Sequence, residues 1–302
     1  MPTASTITRT SPTAEPQVDP IVLQPRATPL QPPAFMRLID TLLHVLTFPS
    51  ENPAFPHTHA QIEDEERRIR STFAPLPRPL IIVGGYHAPH AQPVALHQRL
   101  LSLLGPEAFA ASPNARPLCL SYMMGIDTDQ ILDALAGQIE AAGLLDPATR
   151  DRTVEVDLIG ISMGGVLCRA LCQPPRRRQR RSLIVHAKRI FTLGSPHNGA
   201  TLARDINLDP AGLDLLPNSG FLRTLNTSTS VHPDELTCYA RLRDFWVGAT
   251  NAAPPGHPII WTPGQLAFTH LCLSQDRRIL VDLCRRLRGE PPLARASTPP
   301  SD

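Results

Sequence analysis

Five residues, Gly160-Ile161-Ser162-Met163-Gly164, separate a strand-like run, Val154 to Ile159, from a helix-like run, Val166 to Leu171. A chain that passes from strand to helix in so few residues must turn sharply, with the serine at the apex of the turn. The apex residue takes a strained backbone conformation, and only small residues two before and two after it avoid the neighbouring strand and helix. Gly160 and Gly164 fill those positions. Such a turn lifts the Ser162 hydroxyl above the end of a sheet. It also aims the Met163 N–H, at the start of the new helix, toward any negative charge that develops there. A loop serine between two packing glycines has the same local pattern, so the flanking strand and helix carry the reactive reading.

Around this turn the chain alternates strand and helix signals, which predicts a mostly parallel sheet covered on both faces. Leu80 to Val83 reads as a buried strand ending in Gly84-Gly85, with a helix over Val94 to Leu104 behind it. Leu118 to Tyr122 is the next strand, followed by a helix from Thr128 to Ala142 with Ile131, Leu132, Leu135 and Ile139 on one face. After the serine turn come strands at Ile190 to Leu193, Leu236 to Tyr239 and Pro258 to Trp261. A final helix runs from about Gln275 to Leu287, with Ile279, Leu280, Leu283 and Leu287 as its core stripe. Residues 200–235 interrupt the alternation with an apolar connection long enough to fold over something.

The 302 residues, 42% of them hydrophobic, suffice for one large α/β domain over 34–288. Residues 1–33 hold eight prolines and read as a disordered arm, Phe35 to Leu46 as a short apolar helix, and 289–302 as a loose Pro-rich tail. A formal net charge of +2 gives no overall attraction to nucleic acid or an anionic membrane. Arg176-Arg177-Arg178-Gln179-Arg180-Arg181 is the local exception, a solvated loop or an anionic docking patch. The six cysteines lie mostly in apolar runs without a Cys-x-x-Cys pair, as buried thiols of a reducing compartment do. No run approaches the ~20 apolar residues that cross a bilayer, and the chain start lacks the layout of a secretory signal. The expectation is a cytoplasmic protein.

A serine hydroxyl at neutral pH needs a histidine to take its proton and a carboxylate to fix that histidine's tautomer. In this topology the order along the chain is serine, acid, histidine, each on a loop at the carboxyl end of a strand. Asp244 and His270 stand where that order asks for them. Each has a plainer reading, Asp244 as a loop carboxylate and His270 as a capping or core histidine. Asp205, Asp209, Asp214 and Asp234 compete for the acid, and His232 and His257 for the base. A second oxyanion donor is expected from Gly84-Gly85-Tyr86, with the Tyr86 N–H as the donor; a simple Gly-Gly turn is the alternative reading. His87 and His197 read as pocket-wall or loop-bracing groups.

Four segments resemble the α/β-hydrolase superfamily, and within it the bacterial triacylglycerol lipase and esterase-like proteins. They are Ile81 to Tyr86, Asp157 to Gly165, Phe191 to Ala200 and Asp214 to Asn226. The third is similar to the Thr-Pro-His-x-Gly-Thr stretch of those lipases. The fourth is similar to a Leu-x-Pro-x-Ser-x-Phe-Leu-x-x-Leu-Asn run in their flap. The resemblance spans roughly residues 78 to 288, with Gly84 where the family usually has histidine. It implies an α/β-hydrolase fold with a lid or acyl-pocket insertion at 200–235, with Ser162 as nucleophile, Asp244 as acid and His270 as base. It implies no cofactor; no oxygen-ligand run suggests a structural calcium. The expected substrate is a small-molecule acyl ester or a lipid met at a transient interface, cleaved through an acyl-enzyme. Acyl transfer, thioester cleavage by the same triad, or a non-catalytic lipid- or protein-binding module are the alternatives.

Overall fold

The computed structural model describes residues 52–86, 90–123, 125–200, 209–228, 235–263 and 269–299. Short apolar runs form six strands: β1 (Leu80–Val83), β2 (Leu118–Leu120), β3 (Val156–Ile161), β4 (Ala187–Leu193), β5 (Glu235–Arg241) and β6 (Ile259–Thr262). They make one sheet in the order β2-β1-β3-β4-β5-β6, and every pairing is parallel. All four residues of β1 and all six of β3 are buried, as strands covered on both faces must be.

Side chains alternate between two cores. Leu80, Ile82, Ile159 and Ile161 join one, and Ile81, Val83, Val156 and Leu158 join the other. The first core is closed by α1 (His59–Ser71), α2 (Ala91–Leu104) and α8 (Arg277–Arg288). The second is closed by α3 (Thr128–Ala141), α4 (Met163–Leu171) and α6 (Gly220–Thr227). Short helices α5 (Pro210–Asp214) and α7 (Thr269–Cys272) complete the set. Among the described residues no helix is long and apolar enough to cross a membrane.

Several expectations shift. The strand before Ser162 starts and ends two residues later than its apolar run, because Gly160 and Ile161 still pair with Thr192 and Leu193. Helix α2 begins at Ala91, since Pro93 fits a first turn whose N–H groups lack helical partners anyway. Helix α1 has no counterpart in the sequence reading. Only Ile62 and Ile69 of it are buried, and it is fastened instead by ion pairs from Glu63 and Glu66 to Arg277 and from Glu65 to Arg285. The Pro-rich stretch after Gly289 is not loose up to residue 299. The Leu293 and Ala294 N–H groups donate to Asp282 Oδ1 at 2.7 and 2.9 Å, and the Ser297 N–H donates to the Ile259 carbonyl at 3.0 Å. This strap covers the edge strand β6, whose polar backbone is otherwise open to other chains. The arm at 1–33, the helix at 35–46 and the ends of the 200–235 segment lie outside the described residues.

The arginine run is only partly a solvated loop. Arg176 pairs with Asp129 at 2.6 Å and lies 4.6 Å over the Phe221 ring. Arg181 is buried and donates to the carbonyls of Ala170 at 3.1 Å, Gln173 at 3.0 Å and Leu183, tying off the end of α4. Burial pushes Cys172, Cys238 and Cys284 up to about 12 and Cys119 up to about 11, far from thiolate at neutral pH.

Candidate active site

The chain enters the sheet at β1, runs outward to β2 and returns on the other side of β1 as β3. The order therefore reverses between β1 and β3, and open α/β sheets bind ligands at the carboxyl ends of strands on either side of such a switch. Gly84-Gly85-Tyr86 leaves β1 at this point and Ser162 leaves β3.

Ser162 has φ 52° and ψ −127°, a conformation that costs a residue with a Cβ on the order of 1–3 kcal/mol. Its surroundings hold it there. The Ser162 N–H donates to the Leu193 carbonyl at 2.8 Å, and the glycines admit backbone where no side chain would fit. A Cβ on Gly160 would stand 2.2 Å from Gly165 Cα, and one on Gly164 2.3 Å from the Val83 carbonyl oxygen. Gly165, outside the five-residue pattern, is equally constrained, with Ser195 Oγ 2.1 Å from its notional Cβ.

His270 Nε2 lies 2.9 Å from Ser162 Oγ, and His270 Nδ1 lies 2.7 Å from Asp244 Oδ2. A carboxylate only accepts, so Nδ1 carries the proton and Nε2 presents a lone pair to the serine hydroxyl. The Asp244 and His270 side chains are 2% and 4% exposed, which keeps water from competing for these bonds. The second carboxylate oxygen accepts from the Trp246 and Val247 N–H groups at 3.0 and 3.2 Å. Arg243, at φ 58°, makes the turn that delivers Asp244 from the end of β5. Ser162, Asp244 and His270, separated by up to 108 positions in the chain, thus meet at one rim of the sheet.

Met163 heads α4, where the first N–H groups have no partner within the helix. The turn bearing Tyr86 comes as close as its glycines permit: a Cβ on Gly85 would lie 2.8 Å from Ser162 Cβ. The Gly85 N–H donates to Gln92 Oε1 at 2.9 Å, which fixes the turn, and the Tyr86 hydroxyl donates to Asp209 Oδ1 at 2.9 Å. Gln92 did not stand out in the sequence, since an amide holding a loop follows no periodic pattern, and Asp209, a candidate acid in the sequence, holds the Tyr86 turn instead.

The rivals have other engagements. Asp209 caps α5 through the Gly212 N–H and accepts from Gly125 N–H at 2.7 Å. Burial pushes the Asp214 carboxyl up. His257 Nε2 contacts the Leu236 carbonyl at 2.8 Å. Asp205, Asp234, His87 and His232 lie outside the described residues. His197 is a brace. The Arg169 guanidinium approaches its Nδ1 at 3.1 Å, so that nitrogen accepts and Nε2 donates to Thr192 Oγ1 at 3.2 Å. Burial, and then Arg169, hold the His197 pKa well below its ordinary value. Among the described residues no three His, Cys, Asp or Glu side chains are grouped to hold a metal ion.

No protein-family model matches the chain, and no curated protein matches it in sequence. Solved structures match it in three dimensions at low identity. Mature lipase BlEst2 from Bacillus licheniformis is 16% identical, with a TM-score of 0.43 over 68% of this chain and 89% of that one. The metagenomic carboxyl esterase MGS0156 is 14% identical, with a TM-score of 0.46 over 72% of this chain and 76% of that one. Aspergillus fumigatus lipase B is 15% identical, with a TM-score of 0.48 over 81% of this chain and 62% of that one. The parallel sheet order, the helices on both its faces and the glycine-flanked serine turn at its switch point give this chain the α/β-hydrolase fold.

Proposed function

We propose that the chain is a carboxylic-ester hydrolase of the lipase and esterase kind. The observation that carries this reading is the unbroken line from Ser162 Oγ through His270 to Asp244, at 2.9 and 2.7 Å. Ser162 Oγ attacks the ester carbonyl carbon while His270 Nε2 takes its proton, and the carbonyl electron pair becomes an oxyanion between the Met163 N–H and the Tyr86 turn. Collapse of that intermediate expels the alcohol, which takes the proton from His270 and leaves an acyl-Ser162. Water, deprotonated by the same imidazole, then releases the acid and restores the serine. Asp244 keeps Nε2 facing the serine and stabilises the imidazolium. The described part of the 200–235 segment, residues 209–228, supplies apolar side chains, and we assign these residues the wall of an acyl pocket.

A fluorophosphonate probe and a series of p-nitrophenyl esters test the proposal. Covalent uptake at Ser162, lost in Ser162→Ala and His270→Ala, and ester turnover lowered about 10⁴- to 10⁶-fold in both variants are expected. A folded wild-type protein that takes up no probe would instead be a binding module. Turnover confined to acetate would remove the acyl-pocket role of the insertion.

A further inference from the structure

His270 has a neighbour that the scheme above leaves unused. The Trp246 indole lies against the imidazole, with ring centroids 5.4 Å apart and planes inclined by 14°. The same residue's N–H donates to Asp244 Oδ1 at 3.0 Å, so Trp246 is fastened to both partners of the pair. Gly194, at φ +60°, brings bare backbone up to the imidazole, where a Cβ would stand 3.3 Å from Cε1 and Nδ1. The ring is thus fixed by a carboxylate at Nδ1, by the indole along its face and by close backbone.

Resting on the hydrolase reading, we propose that Trp246 is a positioning residue for His270, whose indole face holds the imidazole toward Ser162 and stabilises the imidazolium formed when the serine proton is taken. The face of an indole carries negative electrostatic potential and attracts a cation within about 6 Å of the ring centroid. It attracts neutral imidazole less. The contact therefore grows as the proton moves, and an interaction that strengthens toward the transition state raises kcat rather than binding alone. Among the described residues, the charges beside the pair include Asp244 itself and Arg241, a buried guanidinium at the end of β5 that lies near Asp244, Cys272, Asp276 and Arg278. All of them stay in place when only the indole is changed.

The test compares wild type with Trp246→Phe, which keeps a weaker aromatic face, and Trp246→Leu, which keeps apolar cover without one. The His270 titration is followed by NMR of its ring protons, identified by their loss in His270→Gln. Its midpoint is expected to fall in the order Trp, Phe, Leu, by about one pH unit in all, with kcat about tenfold lower in Trp246→Leu and KM within about twofold. The acid limb of the kcat/KM profile should move with it. The chain has only two tryptophans, Trp246 and Trp261. A contacting imidazolium quenches indole emission, so wild-type fluorescence should drop on acidification with the His270 midpoint, and this step should vanish in Trp246→Phe. Mere cover predicts the opposite sign, because opening the ring to water favours its charged form. An unchanged or raised midpoint in Trp246→Leu overturns the proposal. If the midpoint falls while wild type cleaves no ester, the stacking stands and the hydrolase reading falls.

Discussion

At the scale of single residues, the site depends on groups that are absent as much as on those present. Gly85 fits between Gln92 Oε1 and Ser162 Cβ only because it has no side chain; a Cβ would lie 2.8 Å from each. Gln92 can swing away but Ser162 cannot, so Gly85→Ala should displace the serine or the turn by a few tenths of an ångström or more. We expect a folded protein by circular dichroism with ester turnover reduced about a hundredfold, as misplacement of reacting groups by about an ångström does. Asp244→Asn probes the other end. Its amide can present an N–H rather than a lone pair to Nδ1, turning the wrong imidazole nitrogen toward Ser162, and a loss of about 10⁴ in kcat is expected with KM nearly unchanged. Ser162, Asp244 and His270 were legible in the sequence because each follows a strand that announces itself by a β-branched or aromatic apolar run. Trp246, Gln92 and Gly194 were not, since their roles depend on what a distant part of the chain brings beside them.

Elements were legible in proportion to how much of their stability comes from apolar burial. Helix α3 begins at a capping box, Asp127 with Gln130, and buries the four residues its periodicity marks. Helix α1 and the strap through 289–299 are held by charge and by backbone hydrogen bonds, which leave no stripe to read. The insertion combines both modes. Phe221, Leu222 and Leu225 of α6 enter the core, whereas α5 is tied down by the Asp209 carboxylate, which gathers the Tyr86 hydroxyl and the Gly125 and Gly212 N–H groups. This carboxylate joins the insertion to the turn beside Ser162. Asp209→Ala should cost about 2–4 kcal/mol in urea unfolding, as loss of a helix cap and two further bonds implies. It should also lower kcat about five- to tenfold by loosening the Tyr86 turn, an effect set by the about 1 kcal/mol that a single net hydrogen bond contributes. Asp209→Asn, which keeps an accepting oxygen, should recover most of both. Full activity in a folded Asp209→Ala variant would separate the insertion from the site.

At the scale of the whole molecule, the carboxyl rim of the sheet that bears the site also bears a buried charge cluster, Arg241 at the end of β5 with Asp276 and Arg278 at the start of α8. Asp276 opens α8, accepts from the Arg278 N–H at 3.0 Å and pairs with the Arg278 guanidinium at 2.6 Å. Burial alone would raise its pKa, but the charge and hydrogen bonds of Arg278, with Arg241 nearby, outweigh it and hold the carboxyl down to about 2 from 3.8. The folded state therefore binds this proton less readily than the unfolded chain does. The resulting stabilisation, about 2 kcal/mol, is complete above pH ~4 and disappears as the pH falls through about 2. Asp276→Asn removes that dependence and takes a negative charge from beside two buried guanidinium groups, Arg278 and Arg241. It should unfold about 3 kcal/mol more easily at pH 7. The gap between variant and wild type in chemical denaturation should narrow as the pH is lowered from 4 to 2. Because Arg241 also senses Asp244, the variant should change ester turnover at neutral pH as well. A gap that stayed constant down to pH 2 would mean that Asp276 titrates alike in the folded and unfolded chains, and that its ion pairs contribute nothing to the stability of this end of the fold.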